Sequence, residues 1–105
     1  MKIGLAVDAL SALAQETRLA VFRLLVQAGQ EGVTAGVLGE KLGIPPATLS
    51  FHLKVLTHAG LIKPRTKGRF VIYSANYHKM NKLIAYLTEQ CCAGETEQCA
   101  PINIC

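Results

Sequence analysis

The sequence predicts a mainly α-helical domain that carries one small β-hairpin. Apolar residues recur at helical spacing through much of the chain, and the clearest case is Leu49, Leu53 and Leu56, which share one helix face. Residues 61–74 instead combine β-branched and aromatic residues around a basic turn that contains glycine, the pattern of a hairpin. With 105 residues, half of them apolar, the chain has enough sequence for one core but not for two.

Charge is distributed unevenly along the chain. The net charge is +4, but residues 41–82 hold eight Lys or Arg, three His and no Asp or Glu. In residues 83–105 the only charged side chains are Glu89, Glu95 and Glu97. This separation predicts a polyanion-binding surface in the middle of the chain, with nucleic acid as the first candidate partner.

Membrane and exported classes are disfavoured. No apolar run approaches the roughly 18–20 residues that cross a bilayer. Asp8 interrupts the apolar N-terminal stretch, and no cleavage signature follows it. We therefore expect a cytoplasmic protein without membrane partners, whose four cysteines stay reduced and do not imply two disulfides.

Two helices are predicted in the first third of the chain. Residues 3–14 form a helix with so little charge that we expect a second subunit to cover part of it. Residues 15–18 interrupt the pattern, and a second helix runs to about Ala28, with Arg18 and Arg23 outward. Its predicted inward residues are Leu19, Phe22, Leu25 and Val26.

A helix-turn-helix follows. Thr34 is suited to cap a short helix that contributes Val37 and Leu38 to the core and ends before Gly43. The next helix begins near Pro46, and Gly60 can end it in a left-handed conformation. Two helices joined by a tight glycine-containing turn leave the second free to enter a major groove.

The exposed face of that second helix carries small, hydroxylic, aromatic and cationic side chains but no carboxylate. Such a face is suited to lie against phosphates. An ordinary amphipathic helical hairpin remains the alternative interpretation. The candidate DNA-contacting residues on this helix are Pro46, Ala47, Thr48, Ser50, Phe51 and Lys54.

The hairpin directly after this helix is predicted to be a wing. Pro64 restricts its first strand to a sheet edge. Arg65, Lys67 and Arg69 would set the basic tip on a phosphate backbone or in a minor groove. The alternative is a solvated basic turn without a ligand.

The last predicted helix runs from Tyr77 to about Gln90. Its apolar stripe, together with the nearly uncharged first helix, suggests a dimer interface. We expect residues 1–92 to form the DNA-binding and dimerisation domain and residues 93–105 a flexible tail with cysteines. The stripe consists of Met80, Leu83, Ile84 and Leu87.

Three stretches resemble the ArsR/SmtB family of winged-helix repressors: residues 10–25, 42–62 and 67–74. The likeness covers residues 8 to about 88 and includes a His-Leu-Lys-Val-Leu core, the Ala-Gly-Leu after it and a tyrosine that closes the wing. The resemblance implies a homodimer, operator DNA as the partner, and release of that DNA when an inducer binds.

Two inducer sites known in the family are poorly matched. Residues 35–40 contain no cysteine, so the thiol site on the helix before the recognition helix is absent. The zinc pattern of the last helix survives only as Asn76 and His78, with Glu89 and Cys92 further on. We reject both sites on these grounds.

The remaining candidate inducer site is thiol-rich. Thiolates select soft ions, and As(III) or Sb(III) takes three sulfurs, for which Cys91, Cys92 and Cys99 are the candidates. These cysteines look like the C-terminal sites of some arsenic-responsive members of the family. Cys105 is a fourth candidate, since zinc accepts four thiolates. The alternative is a tail with reactive thiols that bind no ligand.

The sequence thus favours a homodimeric winged helix-turn-helix repressor that releases operator DNA on binding As(III) or Sb(III). A Cd(II)-, Zn(II)- or thiol-redox-responsive repressor of the same fold is the first alternative. A small thiol-disulfide enzyme that uses the vicinal cysteines is the second, disfavoured because it leaves the acid-free middle of the chain unexplained. No motif pairs a nucleophile with a base, so no enzyme activity is expected.

Overall fold

The computed structural model describes residues 1–94, which form five α-helices and a three-stranded antiparallel sheet. This architecture is the predicted winged helix-turn-helix. No helix in this part of the chain is long and apolar enough to span a membrane. In chain order the elements are α1 (Ile3–Leu13), α2 (Glu16–Ala28), β1 (Val33–Thr34), α3 (Ala35–Leu42), α4 (Pro46–His58), β2 (Ile62–Lys67), β3 (Phe70–Ala75) and α5 (Tyr77–Leu87), followed by a 3-10 segment at Cys91–Gly94.

Side-chain caps define where several helices begin. The Gln15 side chain accepts from the Arg18 amide at 2.9 Å, and α2 starts there. Thr34 accepts from the Val37 amide at 3.3 Å, which confirms it as the cap of α3. Gly43 then ends α3 in the left-handed region, as predicted for the turn between α3 and α4.

The sheet has the order β1-β3-β2, and its shortest strand was not predicted. Pro64 lies opposite Tyr73 on the edge strand β2, as predicted. Strand β1 pairs Val33 with Tyr73 and is too short to leave a periodic signal. Gly32 precedes it with φ +77°, and a Cβ there would overlap the Tyr73 carbonyl oxygen. Only glycine therefore fits this approach of β1 to β3.

The core lies between α2, α4 and the base of the wing. Leu19 and Val37 were predicted to lie in the core, and both predictions were wrong: Leu19 is 43% exposed and Val37 is 39% exposed. Helix α1 packs inward through alanines, whose short side chains allow a close approach, and so turns its larger residues outward. The most completely buried large side chains are Val21, Leu25, Leu38, Leu56, Leu61 and Ile62.

Helix α5 ends at Leu87, not near Gln90 as predicted. The Thr88 hydroxyl donates to the Ile84 carbonyl at 2.8 Å, and Gln90 has φ 58°. A left-handed residue cannot continue an α-helix, so the chain leaves helical geometry before the cysteines. Leu83 is buried against the core, whereas Leu87 is 58% exposed.

Candidate nucleic-acid interface

Helix α4 divides its residues sharply between a buried face and an exposed one. Leu49, Leu53 and Leu56 are at most 3% exposed, as their spacing predicts. The opposite face has no carboxylate, and the structure brings all the predicted residues of this helix together in solvent. These exposed residues are Pro46, Ala47, Thr48, Ser50, Phe51 and Lys54.

The turn before α4 sets its direction. Gly39 accepts a hydrogen bond from the Ile44 amide at 3.0 Å. A Cβ on Gly39 would lie 3.1 Å from the Ile44 carbonyl oxygen, so the small residue permits the tight approach. Pro45 accepts from the Leu49 amide at 2.9 Å and begins the helix. These contacts hold α4 at a defined angle to α3, the arrangement of a helix-turn-helix.

Arg18 and His52 anchor α4 to the preceding helices, and sequence reasoning missed both. Arg18 was predicted to point outward, but it is half-buried and its Nε donates to the Ala12 carbonyl at 2.6 Å. Its Nη1 lies 3.4 Å from Nδ1 of His52, which must accept because a guanidinium only donates. His52 is 8% exposed. Its position three residues after Leu49 and four before Leu56 was the available signal, since it places the ring on the buried face.

The wing presents cations at its tip and along one face. Lys67 and Arg69 flank Gly68, whose φ of 60° makes the tight turn. Arg65 is exposed, but its Nη2 donates to the Glu31 carbonyl at 2.9 Å and ties β2 to the loop before β1. Lys63 shares the face of Arg65 and Lys67 because alternate strand residues point the same way, and it was not predicted as a site residue.

Helix α4 and the wing lie side by side. Lys54, Thr57 and His58 of α4 share a shallow groove with Pro64 and Tyr73 of the hairpin. The groove joins the Lys54 side of α4 to the Pro64 face of the hairpin, whereas Lys63, Arg65 and Lys67 lie on the alternate face of β2. A helix and a hairpin that lie side by side can contact phosphates at several points while the helix faces the bases.

The cysteine pair lies beyond α5. The sulfur atoms of Cys91 and Cys92 are 3.6 Å apart, and both side chains are exposed. Because α5 ends at Leu87, neither cysteine belongs to that helix. Cys99 and Cys105 lie outside the described residues. Within residues 1–94, no three His, Cys, Asp or Glu side chains are grouped to hold a metal ion.

Asn76 connects two helices through its side-chain amide. Its side-chain oxygen accepts from the Lys79 amide at 3.2 Å and caps α5. Its Nδ2 donates to the Gly60 carbonyl at 2.9 Å. This amide therefore joins the end of α4 to the start of α5.

Residues 13–65 match the family described as "Helix-turn-helix domain". The arsenical resistance operon repressor of Bacillus subtilis (strain 168) is 37% identical over 81 residues, which cover 77% of this chain and 73% of that protein. An uncharacterized HTH-type transcriptional regulator of the same organism, YceK, is 43% identical over 58 residues. That match covers 55% of this chain and spans only 57% of YceK.

Solved structures of other proteins share the fold. An ArsR-like transcriptional regulator from Rhodococcus sp. RHA1 superposes with a TM-score of 0.73 at 26% identity, over 88% of this chain and 83% of that one. The homodimeric winged helix-turn-helix domain of Mb0332 from Mycobacterium bovis superposes with a TM-score of 0.66. At 21% identity, over 90% of this chain and 87% of that one, this second likeness concerns the fold alone. Together with the matched residues and the surface of α4, these likenesses show that the chain belongs to the ArsR family of winged helix-turn-helix, DNA-binding transcriptional regulators.

Proposed function

We propose that this protein is a cytoplasmic repressor, not an enzyme, that binds operator DNA as a homodimer. As(III) or Sb(III) would release the DNA by binding Cys91, Cys92 and Cys99, with Cys105 as a further candidate. The observation that carries the DNA-binding part is the exposed, acid-free face of α4 beside a cationic wing. The thiol chemistry after α5 and the likeness to an arsenical resistance repressor support the inducer.

The DNA-contacting side chains divide into two roles. Lys54, Lys67 and Arg69 are exposed cations and would neutralise phosphates, which adds affinity without reading sequence. Ser50 has a hydroxyl that can donate to or accept from a base edge in the major groove. Arg65 already donates from Nη2 to the Glu31 carbonyl, which leaves it fewer N–H groups for a phosphate, so we expect it to contribute less than the two residues at the tip.

Dimerisation is supported by apolar surface that one protomer leaves uncovered. Ile3, Val7 and Leu10 form a stripe on α1 at spacings of four and three, and they are between 41% and 70% exposed. Separately, an apolar cavity of about 320 Å³ lies between α2 and α5, lined by Phe22, Leu83 and their neighbours. Exposed apolar surface of this kind marks interaction sites, and a symmetric pair would bury it on both copies.

The cysteine pair has a spacing suited to one soft ion. For comparison, two thiolates on a tetrahedral zinc ion with metal–sulfur bonds of about 2.3 Å lie roughly 3.8 Å apart. Cys91 and Cys92 stand at 3.6 Å without any change in α5. Cys99 would supply the third sulfur that a trivalent arsenic or antimony centre takes. The ion would then bridge the end of α5 and the tail.

The inducer must act through a difference in affinity. If As(III) weakens DNA binding by some factor, the DNA-free conformation binds As(III) more tightly by the same factor. Helix α5 packs against α1 and lies beside the proposed dimer surface. We propose that an ion fixed just beyond Leu87 changes how the two subunits meet, and thereby the spacing of the two α4 helices.

One titration tests the inducer. Fluorescence anisotropy of a labelled operator duplex is followed as arsenite, antimonite, Cd(II) and Zn(II) are added in turn to the reduced protein. We expect release by arsenite and antimonite at stoichiometric concentrations, since three thiolates suit these ions. Release by Cd(II) or Zn(II) alone would favour the alternative of a divalent-metal sensor. Release only after oxidation of the thiols would favour a redox sensor.

A salt titration tests the wing. We expect Lys67→Ala and Arg69→Ala each to weaken binding to every sequence and to flatten the plot of log affinity against log salt concentration. Each lost phosphate contact reduces that slope by about 0.9. Lys82→Ala, which removes an exposed lysine of α5, is the matched control and should leave the slope unchanged. Unaltered slopes in both wing variants would remove the wing from the interface.

A further inference from the structure

Phe51 is an aromatic side chain that the fold leaves in water. It is 60% exposed, although it lies in the middle of a well-packed helix. Among the described residues its ring contact is with His52, edge-on, at 5.4 Å between centroids and 65° between planes. The leucines on the other face hold α4 in place without it. The ring therefore remains available to whatever covers this face of the helix.

The neighbours of Phe51 make the exposed ring part of a small apolar surface. Ala47 and Thr48 precede it by four and three residues, so all three side chains meet on one helix face. Each helix residue advances by about 100°, which puts Ala47 and Phe51 almost opposite the buried leucines. Lys54 follows three residues later on the same side. A single exposed phenylalanine would be ordinary, but an alanine, the methyl of a threonine and a cation beside it are suited to a specific ligand.

We propose that Ala47, Thr48 and Phe51 read thymine methyl groups in the operator, an inference that rests on the proposed binding of operator DNA through α4. The C5 methyl of thymine is the apolar group that a base pair offers in the major groove. Alanine, the methyl of threonine and phenylalanine are residue types that contact it. Lys54 would hold the adjacent phosphate and fix the ring over the bases. The operator half-site should therefore contain thymines that are recognised by their methyl groups.

Deoxyuridine tests this directly, because it differs from thymidine only by lacking the methyl. A duplex is first selected by the parent protein from a random-sequence pool at fixed salt. Each thymine of one half-site is then replaced by deoxyuridine, one at a time, and the affinity is measured. Burying one methyl corresponds to about a four-fold change in affinity. We expect a loss of this size at one or two adjacent positions and no change elsewhere.

The variants separate a methyl contact from other roles of the ring. Compared with the parent protein, Phe51→Ala should bind the thymine duplex more weakly and the deoxyuridine duplex equally well. Its affinity for the thymine duplex divided by its affinity for the deoxyuridine duplex should therefore fall to about one. Phe51→Leu keeps an apolar side chain and should keep part of the preference. Phe70→Ala is the matched control, since Phe70 is 62% exposed on the wing, and it should retain the full preference for thymine.

The outcomes separate a failure of thymine-methyl recognition from a failure of operator binding. If no duplex is enriched over random sequence, the proposal of operator binding fails. If a duplex is enriched but the parent protein binds the deoxyuridine forms equally well at every position, operator binding stands and the methyl reading is overturned. If the parent and Phe51→Ala prefer thymine equally, methyl recognition stands but Phe51 has no part in it.

Discussion

Replacing Val7 by glutamate is expected to convert the protein to monomers and to lower operator affinity by roughly 100-fold or more. A monomer binds one half-site and loses the affinity that comes from linking two DNA-binding subunits. Val7 is 53% exposed on α1, so the change should leave the fold of one subunit intact. In a two-fold interface the same carboxylate appears on both copies, where burial without a partner costs several kcal/mol. Sedimentation should show a species of 11.3 kDa.

The same substitution on another helix is the control for this experiment. Val37 is 39% exposed on α3, three residues after the capping Thr34, where a glutamate favours the start of the helix. Val37→Glu should remain dimeric. Leu87→Glu extends the test to the exposed end of α5, whereas Leu83→Glu would report on folding because Leu83 is 6% exposed. A stable dimer in Val7→Glu that still binds the operator would place the interface elsewhere.

Serine in place of Cys91 or Cys92 is expected to abolish the response to arsenite while leaving DNA binding unchanged. Both side chains are exposed and lie beyond α5, so the fold does not depend on them. In the parent protein, arsenite should weaken operator binding by about 5- to 150-fold, the usual range for coupled sites. The variants should show no such change. X-ray absorption of the parent complex should show about three sulfurs around arsenic.

The two cysteines of the tail complete this test. Cys99→Ser should lose the response as the pair does, and Cys105→Ser should behave like the parent protein. A full arsenite response in Cys99→Ser would contradict the assignment of the third thiolate. Loss of the response in Cys105→Ser would move that ligand to the C-terminal residue.

Much of the candidate interface could be predicted because its signals are local. Leu49, Leu53 and Leu56 define the buried face of α4 by spacing alone, so the exposed residues between them followed from helical geometry. Thr34 and Gly43 bound α3 through contacts within a few residues. The wing followed from β-branched residues and a glycine turn. The sequence shows that Cys91 and Cys92 are adjacent, but only the structure gives the 3.6 Å between their sulfur atoms.

By itself, the sequence determined the helices, the wing and the acid-free face of α4, since each depends on residues close together in the chain. The tertiary structure decided which apolar residues are covered, and it exposed Leu19 while burying the alanines of α1. It also brought Arg18 to His52, 34 residues away, and β1 to β3. Contacts of this kind depend on how whole elements pack, and no short pattern encodes them. For this reason the local pattern predicts Arg18 in solvent, whereas the packed helices half-bury it.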